Sequence, residues 1–190
     1  MKALKIIGIV VLAIVVIFAI AVLVQPPQAH IEKSIVINAP AASVFPEVSR
    51  FKNFTAWSPW SKMDPEVKQT FEGEEGTVGA KMMWDGPKTG KGSQEIEALE
   101  ENKSVKSALR FDGYDGVFYS AFILEPEGDA TKVTWTYDGA NNGFGGKAMW
   151  MFMGGMMKDQ YEEGLMDLKK LVEAKPKPEP VPADSTAVNQ

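Results

Sequence analysis

Residues Gly146 to Glu173 read GKAMWMFMGGMMKDQYEEGLMDLKKLVE, and the spacing of their apolar groups decides the architecture. In the second half Tyr161, Leu165, Leu168 and Val172 recur at three-to-four-residue intervals, with Lys158, Asp159, Glu162 and Glu163 off that stripe. This is the pattern of an amphipathic helix docked by one face, and Lys169 and Lys170 stand near the negative end of its dipole. The first half differs. Trp150, Phe152, Met149, Met151, Met153, Met156 and Met157 cover most of its circumference, so apolar cover is expected on more than one side. Six of the chain's ten methionines lie in this helix. Their flexible thioethers suit either an awkward core or a surface that fits variable apolar shapes. Gly154 and Gly155 fall mid-helix, at about 1 kcal/mol each relative to Ala, which points to a kink or to the close approach of another backbone.

Outside this helix, 190 residues with a formal net charge of −5 have room for one core-bearing domain. The mild acidity and the lack of any Lys/Arg cluster argue against nucleic acid, whose phosphates demand concentrated positive charge. Without cysteine there are no thiolate metal sites, thiol nucleophiles or disulfides. Ile6 to Val24 is an uncharged apolar run whose 19 residues would span about 29 Å as a helix, close to the hydrocarbon thickness of a bilayer. A cleaved signal peptide is the competing reading, but its apolar region is shorter, and Gln25-Pro26-Pro27-Gln28-Ala29 is a poor cleavage site. Lys2 and Lys5 precede the run, so the expected topology is a single-pass cell-membrane protein with a cytoplasmic N-terminus and an extracytoplasmic domain. The expected divisions are 1–5 cytoplasmic, 6–24 transmembrane, 25–30 linker, 31–173 domain and 174–190 tail. That linker reaches no farther than roughly 20 Å. The tail alternates proline with polar residues and suits disorder or polyproline II.

Ile31 to Asn38 alternates as a strand, with Ile31, Ile35 and Ile37 on one face. Asn38-Ala39-Pro40 supplies a cap and an N1-type proline for a short helix to about Val48. A second short helix covers about Arg50 to Trp57, and Ser58-Pro59 is expected to stop it. Six period-two runs separated by turns then form an antiparallel meander: Val67 to Glu72, Val78 to Asp85, Ser93 to Glu100, Val105 to Phe111, Val117 to Leu124 and Thr131 to Asp138. Inward positions are expected to include Phe71, Val78, Met82, Trp84, Ile96, Ala98, Leu109, Val133, Trp135 and Tyr137. Val117 to Leu124 is apolar on both faces and reads as covered on each side. A glycine-rich loop, Gly139 to Gly146, leads into the long helix.

This order of elements is α+β: a curved antiparallel sheet of about seven strands wrapped around a long C-terminal helix, with two short helices after the first strand and one N-terminal transmembrane helix. With INAPAASVFPEVSRFKNFTAWSPW at its start and DQYEEGLMDLKKLVE at its end, the segment from Ile31 to Glu173 resembles the SRPBCC or START-like helix-grip superfamily of polyketide cyclase/dehydrase and lipid-transport type. The parts that carry the resemblance are Ile37-Asn38-Ala39-Pro40, Trp57-Ser58-Pro59-Trp60 and Glu163-Gly164-Leu165 with Leu168. It implies a cavity between sheet and helix for a lipid, a polyketide or another hydrophobic small molecule.

Chemistry-bearing residues are few. His30 is the only histidine, placed before the fold begins, so neither a histidine triad nor a histidine-carboxylate metal site is expected in the domain. Gly139 to Lys147 fails as a phosphate loop, because Asn141 replaces its first glycine and Ala148 its Ser/Thr. No cofactor or metal is expected. The candidate ligand-binding residues are Trp57, Trp60, Phe71, Met82, Trp84, Trp135, Tyr137, Trp150, Met153 and Met157, with Asp85 and Arg110 as candidate contacts for a polar head. A solid aromatic core is the competing reading. The readings left open are a membrane-anchored binding module, a cyclase- or hydrolase-like enzyme positioned by Tyr137, Asp85 or Arg110, and an extracytoplasmic interaction domain.

Overall fold

The computed structural model describes residues 2–141 and 143–175. Period-two alternation becomes a seven-stranded, fully antiparallel sheet built from β1 (Gln28–Ile37), β2 (Lys68–Glu72), β3 (Lys81–Gly86), β4 (Gly90–Glu100), β5 (Ser104–Phe111), β6 (Phe118–Glu127) and β7 (Ala130–Ala140). Its spatial order is β1-β7-β6-β5-β4-β3-β2, so the first strand lies beside the last and the meander runs to the far edge. Three short helices, α2 (Ala41–Ser49), α3 (Phe51–Trp57) and α4 (Pro59–Met63), carry the chain from β1 to that edge. The long helix α5 (Gly143–Glu173) then crosses the concave face, and the apolar N-terminal helix α1 (Lys2–Leu23) precedes β1.

The helix-grip architecture is present, with local differences from the sequence reading. Pro59 does not end helical structure but opens α4, since a proline's fixed φ and missing N–H suit the first helical position. Asn38 is no cap: Pro40 takes the N-cap position, and the Asn38 N–H donates to Glu173 Oε1 at 2.8 Å, joining the start of the domain to its last helix. Val78 is 61% exposed in the turn before β3. In β4 a register shift between Ile96 and Ala98 inverts the alternation, so Ala98 faces out and Leu99 packs on the core. Strand β6 is covered on one side only, with Phe118, Phe122 and Leu124 buried and Ile123 exposed. His30 lies within β1, its Nδ1 2.6 Å from Asp138 Oδ1 on β7, rather than ahead of the fold. Helix α5 starts inside the glycine-rich stretch, and β1 starts at Gln28, leaving a connection shorter than 25–30. Ala174 and Lys175 complete the last turn of α5 and the rest of the tail lies outside the described residues.

Helix α5 is seated by aromatic stacking. Trp135 on β7 stacks on Tyr161 of α5 at 4.0 Å between centroids and on Phe122 of β6 at 4.9 Å, and meets Trp57 and Trp60 edge-on at 5.5 Å each. Gly164 permits this approach: a Cβ there would lie 2.8 Å from the Trp135 ring and 3.1 Å from Pro59 Cδ. The close approach expected at Gly154 and Gly155 is thus strongest ten residues later, and α5 remains one helix across the pair. Polar contacts fix the far end, where Glu47, buried on α2, pairs with Lys175 at 2.7 Å.

An alanine at 164 gains about 1 kcal/mol of helix propensity, but overpacking against a buried indole and a proline costs about 1–3 kcal/mol. Gly164→Ala is therefore expected to lower Tm by up to roughly 8 °C, whereas Gly155→Ala should raise it by about 2–4 °C. A Cβ at 155 meets nothing within 4 Å, and thermal circular dichroism of the detergent-solubilised chain checks both signs.

Candidate functional site

The aromatic contacts fill the space under the second half of α5, but under its first half the sheet and helix diverge and enclose a cavity of about 500 Å³. The sheet wall comes from inward positions of successive strands: Met82 and Trp84 on β3, Gln94 on β4, Leu109 and Phe111 on β5, Phe118 and Ser120 on β6, Trp135 and Tyr137 on β7. Met149, Trp150, Met153, Met156, Met157 and Tyr161 of α5 form the roof, and Phe54, Trp60 and Met63 of the short helices close one side. Such a volume is in the range that holds one drug-sized ligand, and the lining is predominantly apolar.

Of the sequence candidates, Trp60, Met82, Trp84, Trp135, Tyr137, Trp150, Met153 and Met157 are brought together on this wall. Trp57 and Phe71 are not part of it. Trp57 is buried behind the wall with its indole N–H donating to the Glu47 carbonyl at 3.1 Å, and Phe71 lies near the β2 edge under the Lys52 ammonium. Asp85 and Arg110 face away from the cavity. Alternation carries them outward because Trp84, Leu109 and Phe111 point inward, and Asp85 pairs with Lys91 at 2.9 Å. Among the described residues, the only charged side chains on the lining are Lys88 and Asp112, both solvent-exposed.

Polar groups deeper in the cavity are neutral. Ser120 accepts the Trp135 indole N–H at 2.9 Å, and the buried amide of Gln94 and the phenol of Tyr137 offer further hydrogen bonds. Burial, with a smaller contribution from Tyr114, pushes the Tyr137 phenol well above its ordinary value of 10.0. It is a hydrogen-bond donor at neutral pH, not a base. Trp150 stacks on Tyr137 at 5.8 Å with an interplanar angle of 10°, and Trp84 lies over Gly92, where a Cβ would come within 2.3 Å of the indole. Both rings are held in place as well as exposed to the cavity.

A residue that sequence reasoning missed is Asp64. Fully buried after α4, its Oδ2 accepts from the Lys88 and Thr89 backbone N–H groups and the Thr89 hydroxyl, each at 2.9 Å. These bonds hold the β3–β4 turn against the short helices, and Lys88 and Thr89 border the cavity. An acidic loop residue reads as solvated, and only the fold brings the turn to it. Burial acts to raise the carboxyl, but the three hydrogen bonds outweigh it and set it below its ordinary value of 3.8. A depressed native value stabilises the fold above the unfolded value and loses that contribution as pH falls through the native one. Asp64→Asn is expected to lower Tm at pH 7 and to flatten the acid dependence of Tm below about pH 4. Unchanged pH profiles would contradict this role.

With the geometry in view, the residues from Gln28 to Glu173 match the family described as polyketide cyclase / dehydrase and lipid transport. The chain belongs to that family. No curated protein matches the chain by sequence. Among solved structures, a Chromobacterium violaceum protein is 17% identical with a TM-score of 0.56, the alignment covering 77% of this chain and 99% of that one. A Thermobifida fusca protein is 18% identical with a TM-score of 0.60, covering 76% and 93%. DynU16, a protein in the dynemicin biosynthetic locus, is 15% identical with a TM-score of 0.55, covering 77% and 48%. These likenesses establish the fold.

Filling the cavity provides a direct test of its capacity. Leu109→Trp should reduce binding of an apolar naphthylamine fluorophore at least tenfold, while Ile123→Trp, on the exposed face of β6, should leave it unchanged. Fluorescence titration of the detergent-solubilised chain distinguishes them, and equal affinities would place binding elsewhere.

Proposed function

We propose that the chain is a membrane-anchored SRPBCC-type domain that binds one hydrophobic small molecule or lipid in the cavity between sheet and α5. The observation that carries this reading is the cavity of about 500 Å³, predominantly apolar, uncharged where it is deep and charged only at its rim. The family's description, which includes lipid transport, agrees with such a ligand. Gln94 and Tyr137 orient a neutral polar group of it. Organic extraction of the purified chain, compared with Leu109→Trp, tests the reading. A hydrophobic molecule recovered in near-stoichiometric amount from the parent alone supports it, and identical extracts refute it.

Helix α1 has 22 residues, and with a mean hydropathy of 3.5 over its most apolar 18-residue stretch it is long and apolar enough to cross a membrane. Its last turns pack on the domain: Val22 is completely buried, and the Lys147 ammonium donates to the Leu23 carbonyl at 3.2 Å. A cleaved signal segment has no use for such contacts, which favours a retained anchor. With Lys2 and Lys5 on the near side, the N-terminus is cytoplasmic and the domain extracytoplasmic. Protease added outside spheroplasts should digest the domain. Its protection, or a mature chain starting near Gln25, contradicts this topology.

A cyclase- or hydrolase-like activity in the same cavity would use the Tyr137 phenol to polarise a substrate carbonyl. Tyr137→Phe separates the readings, because pure binding survives the loss of one hydroxyl while turnover does not.

A further inference from the structure

The first half of α5 is apolar on both its sides. Met149, Met153 and Met156 line the cavity, while Phe152 and Phe144, which are not part of the lining, are 70% and 49% exposed. The outer side of this roof is therefore an exposed apolar surface, of the kind that marks contact with lipid or another apolar partner. Helix α1 lies against this same surface. The Phe18 ring is 6.4 Å from Phe144 and 6.2 Å from Phe152, and the Asn141 N–H donates to the Pro27 carbonyl at 2.7 Å, fixing the join between anchor and domain.

These contacts set a depth. With Leu23 at the boundary of the apolar span, Phe18 lies about 7.5 Å inside it at 1.5 Å per residue. Phe144 and Phe152, touching Phe18, lie at a similar depth, within the roughly 5–10 Å reached by interfacial helices. We propose that residues 144–156 are embedded in the domain-side leaflet beside α1, so that the cavity exchanges its ligand sideways with the bilayer and not through water. This placement rests on the reading of α1 as a retained membrane span. Charge distribution agrees with it. No charged residue occurs between Lys147 and Lys158, and Lys147 sits level with Leu23, where its stem follows apolar surface while its ammonium reaches the headgroups. The connection between Leu23 and Gln28 is too short to carry the domain clear of lipid.

The chain lacks cysteine, so single-cysteine variants can report depth by nitroxide labelling. Full-length Phe152→Cys, Met156→Cys and Glu163→Cys, labelled in vesicles of phosphatidylcholine and phosphatidylglycerol, are compared for collision with oxygen and with a water-soluble nickel chelate. The labels at 152 and 156 should favour oxygen and be shielded from nickel, and that at 163 should behave as aqueous. Equal nickel access at all three overturns the placement. Dipolar broadening at 152 that vanishes on dilution with unlabelled chain also overturns it, by showing a second copy on that face. In the same vesicles the parent should take up membrane-dissolved naphthylamine fluorophore, and Phe152→Asp should slow uptake about tenfold without changing affinity for fluorophore added in detergent. Embedding without uptake refutes lateral exchange together with the binding reading. Uptake by a chain whose residue 152 is aqueous refutes the placement alone.

Discussion

The structure depends on the contact between Trp135 of β7 and the Tyr161–Gly164 turn of α5. One indole meets five aromatic neighbours from β6, α3, α4 and α5: Phe54, Trp57, Trp60, Phe122 and Tyr161. Such pairs each contribute about 0.5–1.5 kcal/mol beyond area burial. The absence of a side chain at Gly164 is as important as the presence of the rings, because the helix axis can descend only where nothing intervenes. By pinning the second half of α5 down, this contact leaves the first half spanning the widest part of the curved sheet. Cavity and clamp are two ends of one lever.

The division of labour along α5 follows from its composition. Leu165, Leu168 and Val172 are buried and rigidly packed, whereas methionines dominate the half that roofs the cavity. Unbranched thioethers occupy a wall without fixing its shape, so this roof is compliant. The sheet side contrasts with this. Trp84 laid over Gly92 and Tyr137 stacked under Trp150 are held by ring contacts, so one wall is preorganised and the other compliant.

Much of this was legible in the sequence, for identifiable reasons. Period two named the inward faces of β3, β5 and β7, and with them Met82, Trp84, Leu109, Trp135 and Tyr137; the 3.6 period placed Tyr161, Leu165 and Leu168. The same rule, applied strictly, puts Asp85 and Arg110 outside, since each is adjacent to an inward aromatic and so alternates away from it. The bulge at Glu97 was not legible, because one extra residue inverts the pattern without any glycine or proline to announce it. Nor were Asp64 and Glu47, whose burial is created by chain segments distant in sequence. Trp57 and Phe71 lie on apolar faces as expected but away from the cavity, because periodicity assigns a face and not a position along it.

The sheet order also governs how the chain comes together. Strand β1 follows α1 directly, yet its partner is β7, with Gln28 opposite Ala140 and Ile37 opposite Thr131. During synthesis β1 emerges long before β7 exists, and it waits unpaired while the meander from β2 to β6 is made. Closing so long a loop is entropically expensive, and topologies rich in such pairings fold slowly. The meander shortens that search, because β7 pairs with β6 along Phe118–Glu127 and so offers its free edge to β1 in a fixed register.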